Sequence, residues 1–156
     1  MKKMDPTGTE EARAQHAALC YRTSARDGLW VLLITSRETR RWVVPKGWPM
    51  AGKTGAETAE REAWEEAGVK GRIKDEPLGF FSYDKVLADG SAQPCVVSLY
   101  PLEVARLSDE FPERDDRRRR WFRPRKAATR VAEPELRALL EGFASANLSD
   151  PGKGKA

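Results

Sequence analysis

Residues 47–69, GWPMAGKTGAETAEREAWEEAGV, decide the fold of this chain. Three glutamates near the end of this stretch, Glu62, Glu65 and Glu66, stand at i, i+3 and i+4. Because an α-helix turns once in about 3.6 residues, their side chains share one helix face. Like charges at this spacing destabilise a helix by about 0.2–0.5 kcal/mol per pair. A hard divalent cation such as Mg2+, which prefers carboxylate oxygens, is the obvious compensating partner.

The ends of this helix can be read from the sequence. Thr54 is predicted to be the N-cap, with Glu57 reaching back to it in a capping box. Gly68 suits the position just past the C-terminus. A stripe of small residues lets the helix pack closely against a sheet: Ala56, Ala59, Ala63 and Ala67. The acidic face is therefore predicted to lie on a rigid element, as a metal site requires.

Arg61 adds a cation to this face. It precedes Glu65 by four residues, a spacing at which opposite charges pair on a helix, so it is predicted to brace that carboxylate. The alternative is an ordinary solvated acidic face, which is what most charge runs are. The flanking glycines and Arg61 favour a functional site over that interpretation.

The same stretch resembles the signature of the Nudix hydrolases, a glycine followed at fixed spacings by a glutamate and then by Arg-Glu-apolar-x-Glu-Glu-x-Gly-apolar. The positions in register are Gly47, Arg61, Glu62, Ala63, Glu65, Glu66, Gly68 and Val69. One position departs, because Lys53 stands where the family has its first glutamate. The resemblance implies an α/β fold, a Nudix-like α/β/α sandwich with a mixed central sheet and a catalytic strand-loop-helix motif.

The resemblance also implies roles for single residues in hydrolysis of a phosphoanhydride bond. Glu62 and Glu66 would be metal ligands, with the Gly47 carbonyl as a further ligand, for Mg2+ or for Mn2+ as the alternative. Glu65 is the candidate general base, with Arg61 beside it. Reserve candidates for the base lie in a later polar loop: Glu110, Glu113, Asp115 and Asp116.

A closer resemblance covers roughly residues 15–143. The segments 33–37, 41–45, 65–71 and 120–122 resemble the diphosphoinositol polyphosphate phosphohydrolase branch, whose members also cleave diadenosine polyphosphates. Matching positions make Ser36, Arg37 and Arg41 candidate phosphate contacts. Lys46 and Trp48 replace part of that branch's glycine triplet. They suit a nucleotide, through phosphate contact and base stacking, so both substrates stay open.

The charge balance favours an anionic ligand. The 156 residues carry 28 Lys+Arg against 24 Asp+Glu, a net charge of +4, and the excess attracts a small polyphosphate at long range. The alternative is that most arginines only solvate the surface, and this is the interpretation preferred for Arg117 and Arg119. Nucleic acid is an unfavoured partner, because the arginine run 117–120 lacks interleaved aromatics.

Composition predicts a single soluble domain without a membrane partner. No apolar run approaches the ~20 residues of a membrane span, and no signal-peptide pattern opens the chain. Cys20 and Cys95 lack metal-site spacing and are predicted to be buried free thiols in a reducing cytoplasm. His16, the only histidine, has no companions for a zinc site. The oligomeric state is left open.

The predicted organisation is simple. A flexible arm (1–12) precedes the domain (13–148), and a flexible tail (149–156) follows it. Strands are predicted over 16–22, 29–35, 41–44, 70–83 and 96–107 and at Trp121-Phe122, with a turn at Asp89-Gly90. A second helix is predicted over 133–147, with core positions Leu136, Leu139, Leu140 and Phe143.

The sequence is compatible with three functions. The first is a Mg2+-dependent pyrophosphohydrolase. The second is a Nudix-fold binding or regulatory module that has lost its chemistry, which only Lys53 supports and the intact glutamates oppose. The third is a nucleic-acid-binding protein that uses the arginine run.

Overall fold

The computed structural model describes residues 11–148, so the predicted arm and tail lie almost wholly outside the described residues. Eight strands and three helices follow one another in this range. The strands are β1 (Arg13–Ser24), β2 (Gly28–Thr35), β3 (Trp42–Val43), β4 (Lys46–Gly47), β5 (Val69–Ile73), β6 (Gly79–Val86), β7 (Ala92–Leu107) and β8 (Arg119–Phe122). The helices are α1 (Gly55–Ala67), α2 (Pro124–Arg130) and α3 (Pro134–Leu148).

The strands form one mixed sheet with the order β3-β2-β1-β7-β5. The central pair β1 and β7 is parallel, and the other pairings are antiparallel. β4 joins β1, β8 joins β2, and β6 pairs with the first half of β7. The 16 residues of β7 are long enough for both β6 and β5 to pair with it.

Both faces of the sheet are covered, which makes the molecule an α/β/α sandwich as predicted. Successive residues of a strand point to opposite faces, and β1 buries both sets. Ala18 and Cys20 face α1 and its alanine stripe, whereas Ala17 and Leu19 face the layer of α2 and α3. β1 is therefore apolar throughout its centre, as expected of a strand with a parallel neighbour.

Two features of the predicted organisation were wrong. The predicted strand 70–83 is two strands, β5 and β6, because the polar segment 74–78 interrupts the apolar pattern. The helix α2 was missed, because its seven residues are too few to show a helical period. Pro124 begins it, in the first-turn position where proline is tolerated.

Other predicted features are confirmed. The turn at Asp89-Gly90 is present, with Gly90 at φ 88°. Cys20 and Cys95 are buried free thiols. Leu136, Leu140 and Phe143 lie in the core beneath α3. No helix within residues 11–148 is long and apolar enough to cross a membrane.

Candidate active site

The acidic helix α1 has the ends that its sequence predicts. The Thr54 hydroxyl accepts a hydrogen bond from the Glu57 N–H at 3.1 Å, and the Glu57 carboxylate accepts one from the Thr54 N–H at 2.9 Å. Gly68 ends the helix in the left-handed conformation at φ 69°, where its N–H bonds to the carbonyl oxygens of Ala63 and Trp64. Because both ends are satisfied, the glutamate face is held in a fixed position against the sheet.

The strand β4 brings Gly47 against this face. β4 pairs with β1, where Gly47 lies opposite His16. A Cβ added at residue 47 would overlap the Glu62 carboxylate. A larger residue at position 47 would therefore force the Glu62 side chain to move. The strand-loop-helix unit thus places the Gly47 backbone beside a predicted metal ligand.

A cleft of about 820 Å3 opens above Glu62 and Glu66. Most of the residues predicted from the sequence to form the site line this cleft: Ser36, Arg37, Arg41, Lys46, Gly47, Glu62 and Glu66. The cleft is also lined by residues that were not assigned to the site from the sequence, or were only reserve candidates: Gln15, Tyr83, Lys85, Glu113 and Arg117. Arg61, Glu65 and Lys53 are not among the lining residues.

The two predicted metal ligands share an unusual electrostatic environment. Burial, a hydrogen bond to Glu66 and the negative charges of Glu66, Glu65 and Glu113 raise the pKa of Glu62 to about 8. Burial also raises the pKa of Glu66, although the charge of Arg117 opposes the shift. Glu66 is only 8% exposed, and its Oε1 accepts a bond from the Lys46 N–H at 3.3 Å. Two close carboxyl groups that resist ionisation fit a site for a divalent cation, which would stabilise both charges.

Protein side chains supply only part of a coordination shell here. Within the described range, no three His, Cys, Asp or Glu side chains are gathered closely enough to hold a metal ion. Glu62 and Glu66 with the Gly47 carbonyl would leave positions for water and substrate oxygens, which suits Mg2+.

Arg61 and Glu65 form a separate pair at the edge of the acidic face. The Arg61 Nε donates to Glu65 Oε2 at 2.7 Å, so the predicted brace is present. The Glu65 carbonyl also accepts a hydrogen bond from the Glu113 N–H at 3.0 Å. α1 therefore anchors the loop that carries Glu113 into the cleft.

The prediction that Arg117 and Arg119 only solvate the surface was wrong. Arg117 is 10% exposed at its side chain and pairs with Glu113 at 2.7 Å and with Glu66 at 3.7 Å. It also donates to the Thr35 carbonyl at 3.0 Å. Arg119 donates to the Ala67 carbonyl at 2.7 Å, where a cation complements the C-terminal end of α1. A run of four arginines in sequence gives no sign of which members fold inward.

The other candidate residues bring a hydroxyl and basic groups to the cleft. The Ser36 hydroxyl accepts a hydrogen bond from the Arg41 N–H at 3.1 Å, so it shapes the loop between β2 and β3. Arg37 and Arg41 are about half exposed and are held loosely by acids at 3.9 and 3.8 Å. Lys46 lies with Nζ 4.7 Å from the centre of the Tyr83 ring. These contacts leave the cations accessible from the cleft.

Trp48, the candidate for base stacking, already has one face of its ring covered. The Arg13 guanidinium lies 4.2 Å from the centre of the Trp48 ring and covers one face of it. Lys53, the departure from the family pattern, is exposed. It lies in the loop before α1, where its N–H bonds to the Met50 carbonyl.

The chain resembles known proteins in sequence and in fold. The family model described as NUDIX domain matches residues 13–143, which is most of the chain. The chain belongs to the Nudix family. It is 35% identical over 120 residues to "Nudix hydrolase 13, mitochondrial" of Arabidopsis thaliana, covering 74% of this chain and 59% of that protein. The chain thus spans less than two thirds of that relative's length.

A human relative is named diphosphoinositol polyphosphate phosphohydrolase 3-alpha. It is 32% identical to this chain over 121 residues, covering 76% of this chain and 67% of the relative. Among solved structures, an Ap4A hydrolase of C. elegans superimposes with a TM-score of 0.61 at 19% identity, covering 87% of this chain and 98% of that one. That similarity shows the Nudix fold.

The close approach at Gly47 of the Nudix motif gives a testable expectation. Gly47→Ala should displace the Glu62 carboxylate, because the new methyl group and that carboxylate cannot occupy the same space. We expect turnover to fall by about tenfold or more, as a misplacement of about 1 Å at an active site can cost a hundredfold. Gly142→Ala in α3 is the matched control, since nothing lies within 4 Å of a Cβ there. Equal turnover of both variants would show that catalysis does not depend on the position of the Glu62 carboxylate.

The raised pKa of Glu62 predicts a pH dependence of stability in the metal-free Nudix domain. Between the ordinary carboxyl pKa and about 8, the folded state keeps a proton that the unfolded state has lost. Stability should therefore fall as pH rises through this window. We expect Glu62→Gln to lessen this loss by about 2 kcal/mol, since one pKa unit corresponds to ~1.4 kcal/mol and water in the cleft screens part of the shift. Urea unfolding with a chelator, at pH values across the window, measures it. Parallel pH profiles of the two proteins would contradict the assignment.

Proposed function

We propose that this chain is a Mg2+-dependent pyrophosphohydrolase that cleaves a phosphoanhydride bond in a small polyphosphorylated substrate. One cleft supports this proposal, because Glu62 and Glu66 line it together with Ser36, Arg37, Arg41 and Lys46. Acidic groups suited to a cation and basic groups suited to phosphates thus line the same space. The named activities of the relatives support a diphosphoinositol polyphosphate or a diadenosine polyphosphate as the substrate.

The acidic residues of the cleft would hold the metal. Glu62, Glu66 and the Gly47 carbonyl would be the ligands, and Mn2+ is the alternative to Mg2+. A bound metal would neutralise charge on the phosphoryl oxygens and make the attacking water more acidic. The rigid α1 and its contact with β4 keep the ligands in place, so little reorganisation is needed at the moment of reaction.

The basic residues of the cleft would orient the substrate. Arg37 and Arg41 present planar guanidinium groups, which match phosphate oxygens in pairs, whereas Lys46 acts as a compact charge. The cleft volume of about 820 Å3 lies within the range of small-molecule sites. Trp48 stands at the same cleft and supports a nucleotide-containing substrate, although Arg13 covers one face of its ring.

Proton removal from the attacking water needs a base, and Glu65 is our first assignment by resemblance to the family. Its carboxylate is paired with Arg61 outside the residues that line the cleft. Glu113 lines the cleft and is the second candidate. Either group would have to reach the water directly or through one further water molecule.

Arg61→Ala tests whether Arg61 acts through Glu65. We expect kcat to fall several-fold with little change in KM, because Arg61 braces a carboxylate and does not line the cleft. Steady-state kinetics with saturating Mg2+ measure both constants. A large rise in KM at unchanged kcat would instead assign Arg61 to substrate binding.

A screen for cleavage products, separated by anion-exchange chromatography, tests the proposed function. The substrates are dinucleoside polyphosphates, inositol pyrophosphates, nucleoside triphosphates and 5′-triphosphate RNA, each with Mg2+, with Mn2+ and with a chelator. The Glu62→Gln/Glu66→Gln variant, purified identically, measures contaminating phosphatase. We expect metal-dependent cleavage of an inositol pyrophosphate, which releases phosphate, or of a dinucleoside polyphosphate, which gives two nucleotides. Binding of a substrate without cleavage of any would favour a regulatory module, and Lys53→Glu would then be tested for restored activity.

A further inference from the structure

Glu133 is a buried acid that has no role in the proposed metal site or in the proposed proton removal. It lies between α2 and α3, immediately before Pro134. It is 8% exposed, and its Oε1 is buried without a hydrogen-bond partner. A buried carboxylate oxygen without a partner is costly, so its retention needs a physical reason.

The reason lies in what surrounds Glu133. Its other oxygen, Oε2, is 3.8 Å from the Arg41 Nη1. Arg41 lines the cleft, whereas Glu133 does not. The acid thus lies behind a cation that faces the cleft.

We propose that Glu133 is a positioning residue, a fixed buried anion that orients Arg41 toward the phosphates of the substrate. This inference rests on the proposed function, since it requires a polyphosphate ligand. It adds a residue from the C-terminal region, more than ninety positions from Arg41 in the sequence.

Two effects compete when Glu133 loses its charge. Arg41 loses its ion-pair partner, so its long side chain must be ordered when the substrate binds. Against this, the cleft becomes more positive and attracts anions more strongly. The Arg41 side chain is 46% exposed, so water screens the second effect. We therefore expect the loss of orientation to dominate, and substrate binding to weaken.

The test measures binding of inorganic tripolyphosphate with Mg2+ by calorimetry, with phosphate release followed in parallel. We expect Glu133→Gln to weaken binding by about tenfold, within the range of coupling between contacting charges. kcat should stay within about twofold, because Glu133 does not line the cleft. Glu141→Gln, an exposed acid on α3, is the matched control and should bind as the wild type does. Should Glu133→Gln fail to fold, Glu133→Asp keeps the charge and is expected to bind with intermediate affinity.

A double-mutant cycle separates orientation from simple charge. If Glu133 acts through Arg41, Glu133→Gln should weaken binding far less in an Arg41→Ala background than in the wild type. Additive effects, wild-type affinity of Glu133→Gln, or tighter binding would overturn the inference and leave the proposed function intact. A wild-type protein that neither binds tripolyphosphate nor hydrolyses any phosphoanhydride would overturn both.

Discussion

Glu66→Gln is expected to lower Mg2+-dependent turnover by about 100- to 10,000-fold while the protein stays folded. Each ~1.4 kcal/mol of lost transition-state stabilisation costs a factor of ten, and a metal supplies several kcal/mol. Glutamine keeps the shape of the side chain and removes the charge that the metal needs. The amide can still accept the Lys46 N–H bond that Glu66 accepts now. Folding should therefore survive, and circular dichroism with thermal unfolding verifies it.

A glutamate elsewhere on α1 provides the control for this loss. Glu60 is exposed on the same helix and does not line the cleft, so Glu60→Gln should keep wild-type turnover. The combined Glu62→Gln/Glu66→Gln variant should show no metal-dependent turnover. Wild-type activity in that variant would remove both residues from the mechanism.

Arg117→Met is expected to destabilise the metal-free protein by about 3 kcal/mol. Removing one partner from a buried ion pair typically costs ~3–5 kcal/mol, because the remaining charge stays buried without compensation. Here two carboxylates, Glu66 and Glu113, lose their shared cation. Methionine approximates the volume of the arginine stem, so packing changes little. The free energy of urea unfolding in a chelating buffer measures the loss.

Mg2+ should restore part of that stability. A divalent cation at Glu66 would replace the charge that Arg117 supplied, and ligands that bind only the folded state stabilise it. Arg118→Met is the matched control, since Arg118 is the exposed neighbour in sequence. Equal stability of the two variants, with and without Mg2+, would show that Arg117 does not compensate these carboxylates.

The acidic helix could be predicted closely because its determinants are local. The capping box of Thr54 and Glu57, the ending at Gly68 and the pairing of Arg61 with Glu65 all join residues within five positions of one another. Such contacts can be predicted from the spacing of the residues along the chain. The sandwich was implied by the resemblance to the Nudix family, and the strands predicted on both sides of this helix agree with it.

Other parts of the site depend on contacts between distant residues. Arg117 reaches Thr35 and Glu66 only because β8 pairs with β2, which brings the loop before β8 to the end of β2. Glu133 lies 3.8 Å from Arg41, although the two residues are far apart in the sequence. The Tyr83 hydroxyl donates a hydrogen bond to Gln15 Oε1 at 2.7 Å, which joins residues on two different strands. No local pattern marks these pairs, so the surface role predicted for Arg117 followed from its neighbours and was wrong.

Binding of Mn2+, followed by electron paramagnetic resonance, shows whether Glu62 and Glu66 hold a divalent cation, whatever the substrate is. Free Mn2+ gives a sharp signal that diminishes when the ion binds protein. We expect that the wild-type protein binds Mn2+, that Mg2+ displaces it, and that Glu62→Gln/Glu66→Gln abolishes the binding while Glu60→Gln does not. Undiminished Mn2+ binding by the folded Glu62→Gln/Glu66→Gln variant would show that these two glutamates are not the metal ligands.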